Sequence, residues 1–187
     1  MDPPTRPRIR DAARTRDAIL RAAQKLFAEK GYSTTGVREI AAEAGVNSTL
    51  VRRYFDSKEG LLRSAVKDVL HITPFTQGDR ATLGQRAATL LVSGESIPNP
   101  LAMMVLATAD PDARILCRDL MHERIIIPLA EWLGGEGAME RSARLNMLWI
   151  GFMTARTILP LAPLHGEDEA RTLHWLETAT QAIVDGG

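Results

Sequence analysis

The spacing of apolar residues along this chain indicates helices from end to end, without the alternation that predicts a strand. In the first part, four helices are expected at residues 11–30, 35–44, 47–55 and 57–70. Thr35, Asn47 and Ser57 stand where the last three need an N-cap. The apolar stripes expected to be buried are Ile19, Ala23, Leu26 and Phe27, then Val37, Ile40, Ala41 and Ala44, then Leu62, Ala65, Val66 and Val69.

The rest of the chain predicts five longer helices, at residues 79–92, from 100, from 111, at 136–159 and at 167–185. Asn99-Pro100 and Asp110-Pro111 each pair a capping residue with proline at the first helical position. Pro128 is expected to kink or end the third of these helices near residue 127. The apolar stripes of the last two are Ala143, Met147, Ile150, Gly151, Thr154, Ala155 and Ile158, and Leu173, Leu176, Ala179, Thr180 and Ile183. The expectation is an all-α fold of about nine helices.

Charge divides this helical chain into two parts. The 187 residues are 45% hydrophobic and 25% charged, which is typical of one large or two small globular domains. Residues 1–70 carry 14 Lys and Arg against 9 Asp and Glu, net +5, whereas residues 71–187 carry 9 against 14, net −5. A basic part joined to an acidic one indicates that the first contacts a polyanion. A mixed charged surface that only keeps the protein soluble fits the same numbers.

Composition also bears on where the protein works. One cysteine excludes an intramolecular disulfide and fits a reducing compartment. The polar N-terminus lacks the apolar stretch of a secretory signal, and no run approaches the roughly 20 apolar residues of a membrane span. We therefore expect a cytoplasmic protein without a membrane partner.

The two short helices at 35–44 and 47–55, joined by a tight turn at Gly45, form the pattern of a helix-turn-helix. At about 100° per residue, the second helix has a polar, cationic face and an apolar one. The polar face consists of Ser48, Thr49, Arg52 and Arg53, and the apolar face of Leu50, Val51, Tyr54 and Phe55. Arginine binds guanine bidentately, and Ser or Thr can donate to a base or a phosphate. An ordinary amphipathic surface helix has the same pattern.

Several short motifs in this segment resemble the TetR-type transcriptional regulators. They are AA at 22–23, LF at 26–27, EKGY at 29–32, TGVREIA at 35–41, AGV at 44–46 and YFDSKEGLL at 54–62. The resemblance covers residues 14–66, and a count of nine helices is what this family has. It implies a dimer that binds double-stranded operator DNA and is regulated by a ligand that tilts the fourth helix.

The resemblance also implies a division of the chain and a set of DNA contacts. Residues 11–56 are expected to form the DNA-binding domain, 57–70 a connecting helix and 71–187 a helical effector-binding and dimerisation domain. The expected DNA contacts are Thr35, Arg38, Asn47, Ser48, Thr49, Arg52, Arg53, Tyr54 and Lys58. At position 52 the family usually has tyrosine, so the family's contacts are not assumed for Arg52. Residues 1–10, with Arg6, Arg8 and Arg10, are expected to form a flexible arm, either a free tail or an arm that enters the minor groove.

In the second part, the resemblance places a dimer interface on helices 136–159 and 167–185. The small residues Gly151 and Ala155 permit close approach, although a core face within one chain has the same pattern. A small, largely apolar effector is expected in a cavity among the C-terminal helices. The candidate ligand contacts are Phe75, Met103, Met104, Met121, His122, Trp132, Met147 and Phe152, with Leu106, Trp149, Met153 and His71 as further candidates.

Other functions find less support in the residues. No Ser/His/Asp spacing, phosphate-binding glycine loop or paired carboxylates indicate an enzyme. No metal-ligand motif or cofactor is predicted from the four histidines and the cysteine, of which only Cys117 and His122 are close. Cys117 lies near Arg114 and Arg118, and basic neighbours favour a reactive, redox-sensing thiol. The alternative is that this thiol is buried and inert. A repressor that responds to an effector and a TetR-like protein with a protein partner or no effector both remain open.

Overall fold

The structure, a computed structural model, describes residues 6–93 and 100–186, and all regular structure within these ranges is helical. The predicted all-α fold is confirmed. The helices are α1 (Arg6–Lys30), α2 (Val37–Glu43), α3 (Ser48–Phe55), α4 (Lys58–Val69), α5 (Thr73–Thr76), α6 (Leu83–Ser93), α7 (Pro100–Ala107), α8 (Pro111–Met121), α9 (Ile127–Leu133), α10 (Ala138–Met153) and α11 (Glu169–Asp185). With the one-turn α5 set aside and α8 and α9 taken as one helix, the described residues form the nine helices expected.

The first helix begins earlier than expected. α1 starts at Arg6 instead of residue 11, so half of the segment expected to be a flexible arm is helical. Pro7 is compatible with this start, because N–H groups in the first turn of a helix have no intrahelical partner. Residues 1–5, the rest of that expected arm, lie outside the described residues.

Three of the expected N-caps are confirmed by hydrogen bonds. The Asn47 Oδ1 accepts from the Thr49 N–H at 2.9 Å, and the Ser57 Oγ accepts from the Gly60 N–H at 2.9 Å. The Asp110 Oδ1 accepts from the Ala113 N–H at 2.9 Å, with proline following at the first helical position. Asn99 lies outside the described residues, and α7 begins at Pro100 as expected.

Pro128 does not end its helix, contrary to one of the two expected outcomes. α8 continues through a π-helical turn at His122–Ile126 directly into α9, where the Ile127 N–H bonds to the His122 carbonyl. Proline lacks an N–H and its ring clashes with the carbonyl four residues earlier in a regular helix. The wider turn lies immediately before this proline, so the chain passes it and remains helical to Leu133.

α4 is the helix around which the two parts of the chain pack. Its side chains Leu61, Leu62, Ala65 and Val66 are completely buried, with α1 on one side and α8 on the other. The buried Gln24 of α1 donates from Nε2 to the Ala65 carbonyl at 3.2 Å and to Asp68 Oδ2 at 2.9 Å. The basic and acidic parts therefore share one continuous hydrophobic core.

α6 and α11 pack against each other at a glycine. A Cβ added at Gly84 would lie 2.4 Å from the Glu177 carbonyl oxygen, so the two backbones meet directly. The Gly84 N–H also donates to the Gln181 side chain at 3.0 Å. This contact ties α6 to the C-terminal helix of the protein.

The buried face of α10 is not the apolar stripe of the sequence, for which an interface and a core face are both open. Its buried side chains are Ser142, Leu145, Trp149, Phe152 and Met153. The expected stripe is largely open: Ala143 and Gly151 are exposed, and Met147 is 71% exposed. α10 is apolar on two sides, and periodicity does not distinguish the side that faces the core of its own chain. No helix in residues 6–93 and 100–186 is both long and apolar enough to cross a bilayer.

We expect Gly84→Ala to lower the free energy of unfolding by about 1 to 3 kcal/mol, because the added methyl forces two packed backbones apart. Urea unfolding followed by circular dichroism measures this difference at a fixed protein concentration. Gln85→Ala, on the exposed side of the same turn, is the control and should change stability by less than about 0.5 kcal/mol. Equal effects of the two substitutions would contradict the close approach.

Candidate DNA-binding interface and ligand cavity

The turn between α2 and α3 sets the orientation of α3. Gly45 adopts a left-handed φ of +67°, and the Val46 N–H closes the turn on the Ala41 carbonyl at 2.9 Å. α3 then buries Val51 and Phe55 in the core. Its opposite face, with Thr49, Arg52 and Arg53, is exposed. The predicted division of this helix into a buried apolar face and a polar, cationic outer face is therefore what the structure has.

A groove of about 520 Å³ lies between the start of α2, the face of α3 and the start of α4. Arg38, Arg52 and Lys58 bring three cations to it, and Ser48 and Thr49 add hydroxyl groups. One acidic residue, Asp56, also lines it. Five of the nine residues expected to contact DNA thus lie together around one concave, mostly cationic surface.

Lys58 is positioned by an aromatic ring. Its Nζ lies 4.2 Å from the centroid of the Tyr32 ring, within the range of a cation–π interaction. Burial lowers the pKa of Lys58 below its ordinary value, and the carboxylate of Asp110 acts in the opposite direction. A contact with Tyr32, in the turn that follows α1, therefore positions the ammonium group of Lys58.

Asp56, which links α3 to α4, has an unusual backbone. Its φ is +63° and its ψ −50°, and it is the one non-glycine residue with positive φ in the described residues. The Ser57 N–H donates to the Phe55 carbonyl at 2.7 Å across it, which makes a γ-turn of the strained kind. The connection between α3 and α4 is thus very short, with only Asp56 and Ser57 between the two helices.

A cavity of about 530 Å³ lies among the C-terminal helices. It is bounded by the end of α4, by α5, α6 and α7, by the end of α8 with the π turn, and by the middle of α10. Phe75 and Trp149 stack in its wall with their ring centroids 4.7 Å apart. Its described lining is apolar apart from His71 and Asn146.

Comparison with known proteins agrees with this geometry. A family model described as bacterial regulatory proteins of the tetR family matches residues 19–65. A second, described as a tetracyclin repressor-like C-terminal domain, matches residues 81–184, more than half of the chain. The chain belongs to the TetR family of transcriptional regulators. Proteins of this family are regulators rather than enzymes, bind operator DNA and are typically dimeric.

Solved TetR-family structures resemble the whole chain. A TetR-family regulator from Streptomyces coelicolor A3 is 30% identical, with a TM-score of 0.60 over 92% of this chain and 96% of that one. NalD of Pseudomonas aeruginosa, the secondary repressor of the MexAB-OprM multidrug efflux pump, has a TM-score of 0.66 over 91% of this chain and 97% of its own. At 21% identity, the likeness to NalD concerns the fold alone.

Curated relatives resemble a part of the chain. The HTH-type transcriptional regulator HbdR of Aromatoleum sp. (strain CIB) is 46% identical over 55 residues, which are 29% of this chain and 24% of HbdR. The probable regulator YttP of Bacillus subtilis (strain 168) is 36% identical over 91 residues, which are 49% of this chain and 40% of YttP. The chain thus spans less than half the length of these two relatives.

Two of the residues expected to contact DNA form hydrogen bonds at the ends of helices. Thr35 is 1% exposed, and its hydroxyl donates to the carbonyls of Leu26 and Gly31, so it does not reach the surface. It is not the N-cap of α2 either, because Gly36 occupies that position. The Asn47 side chain is engaged in capping α3 and in a bond from the Thr49 hydroxyl. A small polar side chain just before a helix readily forms hydrogen bonds with nearby backbone groups.

The remaining two expected contacts lie outside the groove. Arg53 is exposed on the outer face of α3, next to Arg52 in the chain, and does not line the groove. Tyr54 is half-buried and packs against the core. Of the nine candidates, five thus line the groove, Arg53 lies on the outer face of α3, Asn47 caps this helix, and Thr35 and Tyr54 are buried or half-buried.

The cavity contains only some of the expected ligand contacts. Phe75 and Met121 line it, as do the further candidates Trp149, Met153 and His71. The other expected contacts lie elsewhere: Met103, Met104 and Phe152 are core residues outside the lining, Met147 and His122 are exposed, and Trp132 lies under the Arg80 guanidinium at 5.8 Å. Asn146 was missed, although a lone amide in the apolar run from 145 to 153 is a signal for such a position.

The redox-sensing thiol raised by the sequence gains no support. Burial raises the pKa of the Cys117 thiol to about 11, so the thiol is protonated at neutral pH and a poor nucleophile. Arg114 and Arg118 are both exposed and do not enter the causes of this shift. Within the described ranges, no three His, Cys, Asp or Glu residues are grouped so that they could hold a metal ion.

We expect Asp56→Gly to raise the free energy of unfolding by about 1 kcal/mol, because glycine adopts the positive φ without strain. Asp56→Asn keeps the Cβ and removes only the charge, so it should be less stabilising. Urea unfolding of the three proteins at one protein concentration gives both differences. A loss of stability in Asp56→Gly would show that the carboxylate, and not the backbone, determines this position.

Proposed function

We propose that this TetR-family protein is a dimeric repressor that binds palindromic operator DNA and is released by a small, largely apolar effector. The observation that carries the proposal is the position of α4. Its first residue, Lys58, and its N-cap, Ser57, line the cationic groove, whereas Val69 and Leu70 at its other end line the cavity. A single helix therefore touches both sites.

The groove and the outer face of α3 supply the chemistry that DNA recognition needs. Thr49, Arg52 and Arg53 stand on the exposed face of a helix short enough to enter the major groove. Arginine pairs with the O6 and N7 of guanine, so Arg52 and Arg53 are the proposed base contacts. Lys58 and Arg38, at the edges of the groove, are the proposed phosphate contacts, which set register without reading sequence.

The proposed release depends on how α4 transmits a change in the cavity. α4 has 12 residues and, at about 1.5 Å per residue, spans about 18 Å from groove to cavity. Near the cavity, α4 is held by an ion pair between Lys67 Nζ and Glu123 Oε1, which are 3.1 Å apart. Glu123 belongs to the π turn, and Ile125 of the same turn lines the cavity. A ligand that displaces this turn or Leu70 would tilt α4, and the strained turn at Asp56 would pass the tilt to α3.

The open cavity supports an effector over the alternative of a protein partner or no ligand. A filled C-terminal core would have favoured that alternative. The observed volume of about 530 Å³ lies within the range of about 300 to 1,000 Å³ that small-molecule sites occupy. A curated relative named as a repressor, Rv3405c of Mycobacterium tuberculosis, is 51% identical over 53 residues and supports the direction of regulation.

Two exposed apolar positions support the proposed dimer. Met147 on α10 is 71% exposed and Trp175 on α11 is 56% exposed, and both helices belong to the part expected to form the interface. Ala143 and Gly151 continue the exposed face of α10 with small side chains. A two-fold axis through these helices would bury this surface and double the contact with a palindromic operator.

The DNA proposal is tested by fluorescence anisotropy with DNA from the protein's own upstream region and a scrambled control, at two salt concentrations. We expect selective, salt-sensitive binding. Arg52→Ala and Arg53→Ala should each cost about 1 to 3 kcal/mol and relax specificity at one position per half-site, whereas Lys58→Ala should weaken both DNAs alike. Arg118→Ala, an exposed arginine of α8, is the charge-matched control. Equal, weak binding of the wild-type protein to both DNAs would contradict the proposal.

The dimer proposal is tested by sedimentation of Met147→Arg. Burying an unpaired guanidinium at the proposed interface is costly, so we expect this variant to sediment as a monomer at concentrations at which the wild type is a dimer. Ile115→Arg, on the exposed surface of α8, is the control and should leave the dimer intact. Dissociation by both substitutions, or by neither, would place the interface elsewhere.

A further inference from the structure

The charge of the cavity wall restricts what can enter it. Among the described residues that line the cavity there is no Asp, Glu, Lys or Arg. An ionised ligand would leave water there without meeting an opposite charge, which is among the most costly forms of burial. The described part of the wall therefore disfavours carboxylates and ammonium ions alike.

The two polar residues of the lining, His71 and Asn146, differ in whether their hydrogen-bonding groups are already paired. His71 is already engaged: its Nε2 lies 2.8 Å from the Asp68 carbonyl, and its Nδ1 lies 3.1 Å from the Arg124 guanidinium. Because arginine only donates, Nδ1 is the acceptor and Nε2 carries the hydrogen. Neither ring nitrogen is free for a ligand.

Asn146 is in the opposite situation. It is half-buried in the middle of α10, lines the cavity, and its amide forms no hydrogen bond with the described part of the chain. A carboxamide both donates and accepts, so it can pair with a hydroxyl, a carbonyl or an amide of a ligand. Around it the wall is formed by Ile150, Met153 and the stacked Phe75 and Trp149, which accept only apolar surface.

We propose that the cavity takes an uncharged amphiphile, with an apolar body and one hydrogen-bonding group that pairs with the Asn146 amide. This inference rests on the proposed function, in which the cavity is the effector site. It adds that Asn146 is the residue that selects the head group, and that the ionised counterpart of the same molecule is rejected.

The experiment uses the full chain and the uncharged fluorophore N-phenyl-1-naphthylamine, whose emission rises in an apolar site. Three competitors share a ten-carbon chain and differ in head group: 1-decanol, decanoate and decylammonium, each below its micelle concentration at pH 7. We expect 1-decanol to displace the fluorophore at least about tenfold more strongly than either ion, a difference of about 1.4 kcal/mol. Displacement by an ion as strong as that by 1-decanol overturns the inference.

Two variants locate the site and the head-group contact. Leu90→Trp fills the cavity from α6 and should abolish fluorophore binding, which separates the cavity from exposed apolar surface at Met147 and Trp175. Asn146→Leu keeps the size of the side chain, so it should bind the fluorophore normally and 1-decanol about five- to tenfold more weakly. Fluorophore binding unchanged in Leu90→Trp, or 1-decanol binding unchanged in Asn146→Leu, overturns the inference.

The operator assay separates this inference from the function on which it rests. Addition of 1-decanol to the protein–DNA complex should lower the anisotropy in the wild type and not in Leu90→Trp. Selective 1-decanol binding without DNA release contradicts the proposed effector function and leaves the ligand class supported. DNA release by decanoate or decylammonium at equal concentration, lost in Leu90→Trp, supports an effector site and overturns the proposed ligand class.

Discussion

The complete burial of one face of α4 is the constraint on which the rest of the structure depends. Leu61, Leu62, Ala65 and Val66 are each 0% exposed, so no part of this face is free of either α1 or the C-terminal helices. Burying a side chain of this kind stabilises the fold by about 1.5 to 3 kcal/mol for the larger residues. The DNA-binding part and the regulatory part are therefore not independent bodies joined by a linker.

The middle of α4 is held much more firmly than its ends. Gln24 ties the second half of α4 to α1 through two buried or part-buried hydrogen bonds, at Ala65 and at Asp68. At the cavity end, Lys67–Glu123 is an exposed ion pair, which contributes only about 0 to 1 kcal/mol. His71 there accepts an exposed hydrogen bond from Arg124. A helix fixed in the middle and loosely held at one end is suited to pivot, which agrees with the release that we propose.

The candidate site residues divide according to what the backbone needs. Thr35 and Asn47 were expected on DNA, yet both satisfy backbone groups at the ends of helices. Arg38, Ser48, Thr49, Arg52 and Lys58 have no such duty and line one groove. For Arg38, Arg52 and Lys58 the difference follows from chain geometry, because a long cationic side chain reaches a backbone group at a helix end less easily than a short polar one does.

The sequence by itself determined the helices, most of their caps, the cationic face of α3 and the family, since these depend on residues close together in the chain. Tertiary structure alone decided which apolar side chains lie in the core, which line the cavity and which are exposed on the surface. Met121, Met103 and Met147 are equally apolar in sequence, yet one lines the cavity, one is fully buried and one is 71% exposed. Periodicity indicates that a helix has an apolar face, but the partner of that face comes from distant segments, whose packing no local pattern contains.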